Sequence, residues 1–275
     1  MTPKQIVNAA AAVTAFVAIV LAGMLFSAPP VRAQFGAGAG AGAGFGSGAG
    51  GPVDTNSIQS RAQLGLQIAP VKLNYDRFDS NETTLVGYGS YIVNGQADCN
   101  GCHSSPDLGG EFVSPSGMPF FLTPPKIKTK VNPAGYLGGG TDFGEYPGPG
   151  PWGAGPFPHI VTRNLTPDIS GRPEGGNTLQ QFITIMRNGK DFDGIHPTCG
   201  PAGLDGTCIP APFDGSLLQI MPWPNFANMS DYDLQAIYEY LKAIPCISHR
   251  GSPGLPANIY QVCPGETPLP QPPAD

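Results

Sequence analysis

The sequence predicts a mainly α fold: one domain of about 180 to 200 residues whose few helices are separated by long Gly/Pro-rich loop insertions. Two observations carry this. Three segments, near 84–94, 178–188 and 230–245, repeat apolar residues at helical spacing. The 39 glycines and 32 prolines make up about a quarter of the 275 residues, against roughly 12% in an ordinary chain, so little chain is left for other regular structure.

At the N-terminus, Lys4 precedes an apolar run of 21 residues, Ile6 to Phe26, broken near its start by Asn8 and Thr14. That length spans a bilayer as a helix and exceeds the apolar core of an ordinary signal peptide. Val31 and Ala33 nevertheless stand where a cleavage site places small residues. Residues 1–33 therefore read as a membrane anchor or a signal peptide. The Gly/Ala stretch 36–51 forms a flexible tether, which has a use if the anchor is retained and so favours retention. Residues 34–80 are tether and extended lead-in, within which Ile58 to Ile68 is either a short helix or a surface wrap. The packed domain follows over 81–250, and 251–275 is a Pro-rich tail.

Thr84 to Asn94 reads as a helix with Tyr88, Tyr91 and Ile92 on one face, both tyrosines as packing residues. Gly89 costs about 1 kcal/mol of helix propensity, which predicts a second helix crossing closely there. This helix delivers the chain into Cys99-Asn100-Gly101-Cys102-His103. Two thiols separated by two residues can each add to a vinyl group of one porphyrin, and the histidine directly after them is placed to ligate its iron. A bare C-x-x-C also suits a redox dithiol, half a zinc site or a plain disulfide. The following histidine, the export signal and the lack of a second C-x-x-C favour one covalent haem c, held by Cys99 and Cys102 with His103 on the metal.

From Asp107 to Pro158 glycine and proline forbid regular structure over any useful length. Asn164-Leu165-Thr166-Pro167-Asp168 is a polar turn that either caps itself or, with Arg163, donates to a haem propionate. Thr178 to Asn188 is a second helix, its face made of Leu179, Phe182, Ile183 and Met186, and Gly189 ends it. Ser230 opens a third helix through a capping box with Asp233, and Pro245 stops it. Its apolar face is expected to cross the first helix.

The iron then needs a sixth ligand or an open position. Met118, Met186, Met221, His159, His196 and His249 are the candidates. Met186 belongs to a helix face and reads as core. Met221 stands in a short non-helical stretch before Pro222 and Trp223, and is preferred as the second metal ligand, with His196 its main rival. Trp223 is a candidate to shield the cofactor edge or to bond a propionate through Nε1.

The four other cysteines pair most economically as Cys199 with Cys208 and Cys246 with Cys263, which suits an oxidising compartment. Beyond residue 33 the chain holds 12 basic and 20 acidic side chains. The one basic cluster is Lys126, Lys128 and Lys130, so nucleic acid is not expected as a partner. An acidic surface serves solubility or a basic protein partner.

Taken together, Gly89 to Val93, Cys99 to His103, Gly109 to Phe112, Asn164 to Asp168, Phe182 to Gly189, Met221 to Trp223 and Met229 to Leu241 make the chain resemble a class I c-type cytochrome domain over residues 84–245. Such monohaem domains occur as electron carriers and in the cytochrome subunits of membrane-bound periplasmic dehydrogenases. The resemblance implies a cytochrome c-like helical fold, thioethers at Cys99 and Cys102, and His103 and Met221 as iron ligands. It implies electron transfer, not catalysis, on the periplasmic side of the bacterial inner membrane. The partners would be a dehydrogenase, a quinol-oxidising complex or a terminal oxidase. Two features depart from the pattern: the 118-residue span from His103 to Met221, swollen by 118–158, and the four additional cysteines. A haem enzyme with an open distal site acting on peroxide or a small sulfur or nitrogen compound, and a structural haem subunit of a respiratory complex, are the competing functions.

Overall fold

The computed structural model describes residues 57–104, 131–248 and 261–266. The apolar N-terminal run, the tether, Gly109 to Phe112, Met118, the lysine cluster, His249 and the end of the tail lie outside them. Among the described residues no helix is long and apolar enough to cross a membrane.

Helix α1 spans Ile58–Ile68 and α2 Ser80–Gly95. Both begin on a side-chain cap: Ser57 accepts from the Ser60 N–H, and Asp79 accepts from Asn81 and Glu82. Of the two readings for Ile58 to Ile68, the short helix holds, and it belongs to the packed body, since Ala62 joins the buried core. Helix α2 is the central element because two glycines open two of its sides. Gly87 and Gly89 are two residues apart, about 200° around the helix. A Cβ on Gly65 of α1 would stand 1.9 Å from the Gly87 carbonyl oxygen, and a Cβ on Gly89 would stand 1.9 Å from that of Ala236. Ala236 lies on α7, Asp231–Ala243. The crossing that Gly89 foretells is therefore present, and a second crossing lies on the opposite side of the same helix.

Val86, Ile92 and Val93 of α2 and Leu234, Ile237 and Leu241 of α7 fill the crossing, all buried, each contributing about 1.5–3 kcal/mol by leaving water. A polar knot locks it. The Tyr136 hydroxyl donates to Asn94 Oδ1 at 2.5 Å and lies 2.7 Å from the Tyr240 hydroxyl, while Asn94 Nδ2 donates to the Ser90 carbonyl at 3.0 Å. This fixes the strap 131–140 to both helices.

Cys99–Cys102 forms the one-turn helix α3. Two short antiparallel strands follow, β1 (Asp142–Glu145) and β2 (His159–Val161), with a bulge between their paired ends. Among the described residues of 107–158 the regular structure is the four-residue β1, in keeping with the expected lack of long elements, and Gly144, at φ 82°, supplies a backbone state open to glycine inside it. A turn α4 (Pro173–Gly176) leads to α5, Leu179–Asn188. Thr178 and Gln181 close a capping box at its start, and Gly189 ends it at φ 65°. Trp223–Phe226 forms a helical turn, α6, in the stretch expected to be non-helical. Helix α7 opens on the capping box of Ser230 with Asp233. Both cysteine pairs stand as expected: Cys199 with Cys208 and Cys246 with Cys263.

Candidate cofactor site

Asp98 sits in the left-handed region (φ 48°) and turns the chain out of α2 into α3, where His103 N–H closes on the Cys99 carbonyl at 2.9 Å. The turn carries Cys99 and Cys102 three residues apart, hence on one side. Unlike the other four cysteines, both are free. Burial pushes the Cys99 thiol up to about 12, with the Asp98 carboxylate adding to the effect, and the same two causes raise Cys102. Both thiols are therefore protonated at neutral pH.

His103 is held from two directions. Its carbonyl accepts from Gly139 N–H at 2.8 Å, and its Nδ1 lies 2.9 Å from the carbonyl oxygen of Arg163. A carbonyl only accepts, so Nδ1 carries the proton and Nε2 keeps its lone pair. Burial pushes the imidazole below its ordinary value, which keeps the ring neutral. A neutral imidazole oriented through one nitrogen, with the other unprotonated, is the arrangement a metal-ligating histidine needs.

Arg163 follows β2 and turns inward. Its guanidinium pairs with Asp191 through Nη2 and with Asp193 through Nε at 3.1 Å, and Nη1 stands 3.9 Å from Glu174. Glu174 is buried on α4 in a left-handed conformation (φ 52°). Its carboxyl is pushed up to about 7 by burial, against the pull of Arg163 and with the help of Asp193 and Asp191. The sequence reading missed these three acids, which come from two other segments; the Asp191-x-Asp193 spacing just after Gly189 is the one signal that pointed to them.

Cys99, Cys102, His103 and Arg163 share one cavity with Met221, with a volume of about 1400 Å³ including space open to solvent. Phe182, Ile185 and Met186 from α5 and Ile237 and Leu241 from α7 form its apolar floor. Leu217 to Met221 form another wall, and Phe143 and Ile195 stand at its mouth. Met221 is half-buried and packs on the core. Met186 is buried in that core, as expected of a helix-face residue. His196 also lines the cavity, its Nδ1 3.1 Å from the Thr207 carbonyl oxygen.

The other predicted residues are placed elsewhere. Asn164 is spent on the turn: its Oδ1 accepts from the Thr166 N–H at 3.0 Å and hydroxyl at 2.8 Å, and its Nδ2 donates to the Ile247 carbonyl at 2.7 Å. It belongs to a self-capping turn, and the amide has no place on the cavity wall. The Trp223 ring packs over Gly189, where a Cβ would meet it at 2.3 Å. His159 is exposed and pairs with Asp142 at 2.8 Å.

A covalently attached haem fits these residues: two unpaired thiols one turn apart, a neutral histidine with a free Nε2, an apolar floor and a thioether on another wall. Among the described residues no group of three or more His, Cys, Asp or Glu side chains is arranged to hold a bare metal ion. Comparison with protein families, with curated proteins and with solved structures returned no match to this chain.

Proposed function

We propose that this protein transfers electrons through one c-type haem attached at Cys99 and Cys102, ligated by His103 and Met221, on the exported side of a bacterial inner membrane. The orientation of His103 by the Arg163 carbonyl, beside two free thiols and on the same cavity as Met221, is the observation that carries this reading. A bound haem supplies a one-electron couple whose potential follows its ligands, burial and hydrogen bonds. The chain's own part is to hold the imidazole neutral and aimed, to offer a soft thioether, and to keep the floor dry with Phe182, Ile185 and Leu241. Redox partners are a dehydrogenase, a quinol-oxidising complex or a terminal oxidase.

His196 on the same cavity makes bis-imidazole ligation the competing arrangement. The absorption spectrum of protein exported with haem-attachment machinery separates the two. The expected ferric spectrum is low-spin with the weak long-wavelength band of a thioether on iron, lost in Met221→Ala and kept in Met186→Ala and His196→Ala. A high-spin native spectrum, or haem that acid solvent extracts from the native chain, overturns the proposal.

A further inference from the structure

We propose that the cavity mouth is the docking surface for a basic redox protein. This rests on reading the cavity as a haem pocket, and adds the sign and place of the partner's contact. Phe143 on β1 and Ile195 both line the cavity yet are 44% and 36% exposed, and Phe192, next in the chain to the cavity-lining Asp191, is 42% exposed. Large apolar side chains that line a cavity and are held half in water mark an interaction site more than a solvated rim.

Charge selects the occupant. The cavity wall carries the carboxylates of Asp98 and Asp191, with the buried Glu174 pushed up to about 7, against a single cation, Arg163. Arg163 is spent on Asp191 and Asp193, and the Asp193 carboxylate is partly exposed. Asp142 flanks Phe143, half-exposed, and accepts from the Gly144 N–H and the exposed His159. The nearby Lys190 interacts with Asp214. A second copy of this chain and an anionic lipid surface both bring the same sign to an acidic mouth and are repelled. A partner with lysines around an apolar contact is attracted.

The test uses the haem-loaded full chain with mitochondrial cytochrome c, which is lysine-rich, and with the same cytochrome after succinylation of its lysines. The electron-exchange rate with the native probe should fall about tenfold from low to high ionic strength, and that with the succinylated probe should rise. Asp142→Asn with Asp193→Asn should lower the low-salt rate several-fold, whereas Glu82→Gln with Glu239→Gln should leave it unchanged. Amide shift mapping reads the contact without electron transfer: perturbations should gather on 142–143 and 191–196. A salt-independent rate, an equal loss in the Glu82/Glu239 pair, or perturbations centred on α1 overturn the proposal. A chain that holds no haem but still shows the mapped contact fails the cofactor reading and leaves the surface standing.

Discussion

The carbonyl oxygen of Arg163 lies 2.9 Å from His103 Nδ1, across 60 residues of chain. One peptide group thus selects which nitrogen of the imidazole is free, and the strap at Gly138–Gly140 selects the peptide group. Gly139 N–H donates to the His103 carbonyl and Gly140 N–H to that of Thr162.

Gly139→Ala should therefore act on both stability and the site. Gly139 has φ 72°, and a Cβ there would lie 2.4 Å from the Arg163 carbonyl carbon and 2.5 Å from its oxygen. The left-handed backbone alone costs about 1–2 kcal/mol, and the clash adds to it, so denaturant unfolding should show a loss above about 2 kcal/mol with a shifted His103 ring resonance. Gly144→Ala, at φ 82° with nothing within 4 Å of the added carbon, should carry the backbone cost alone and leave His103 unmoved.

Glu174→Gln should stabilise the protein at alkaline pH and do little in acid. The native carboxyl titrates at about 7 against an ordinary 4.5, so between these values the native state holds a proton that the unfolded chain has lost. Stability then falls as pH rises through that window. The variant escapes the fall, with an advantage growing to about 3 kcal/mol at pH 8, read as midpoint shifts in parallel urea titrations at pH 5 and 8.

His159 should titrate above 6.5, because its hydrogen bond to Asp142 and that carboxylate's charge favour the imidazolium. A raised native value means that the pair stabilises the fold below about pH 6.5 and ceases to do so as pH rises through the native value. A proton NMR titration of the ring should show the midpoint returning toward 6.5 in Asp142→Asn.

Gly89→Ala should be among the most damaging single-methyl changes. The added carbon meets the Ala236 carbonyl oxygen at 1.9 Å, and backbone cannot swing aside, so α2 and α7 must separate. A loss above about 3 kcal/mol is expected in thermal or denaturant unfolding, and Ala236→Gly should fail to rescue it, since the clash is with the peptide and not with the side chain.

What was legible in the sequence is what short-range chemistry writes. The capping boxes of α5 and α7 announce themselves in Thr178/Gln181 and Ser230/Asp233, Gly189 ends its helix where a left-handed residue is needed, and Gly89 marks its crossing from one position alone. Local sequence does not decide helix α1, whose polar and apolar residues are poorly segregated; it is held by Gly65 against Gly87 and by Ser90 Oγ donating to the Gly65 carbonyl at 2.7 Å, contacts that no local window contains. The hairpin is hidden for the same reason, its strands sitting 17 residues apart at Asp142 and His159. At the site, the sequence marks Cys99 to His103 as a motif and Met221 as a candidate, and the fold brings Cys99, Cys102, His103 and Met221 to one cavity. Arg163 was read as a propionate partner, yet Glu174, Asp191 and Asp193 surround it, a grouping of distant segments that only folding assembles.

The bond between Cys246 and Cys263 has one more effect. Gln261 Nε2 donates to the Thr166 carbonyl at 3.1 Å, so the chain beyond α7 is returned to the 164–168 turn and fastened there. A protease that cuts anywhere between the two cysteines releases nothing: both fragments stay on one molecule until a reductant parts them. The sixteen residues between the two cysteines are thus a place where one cut leaves the protein whole.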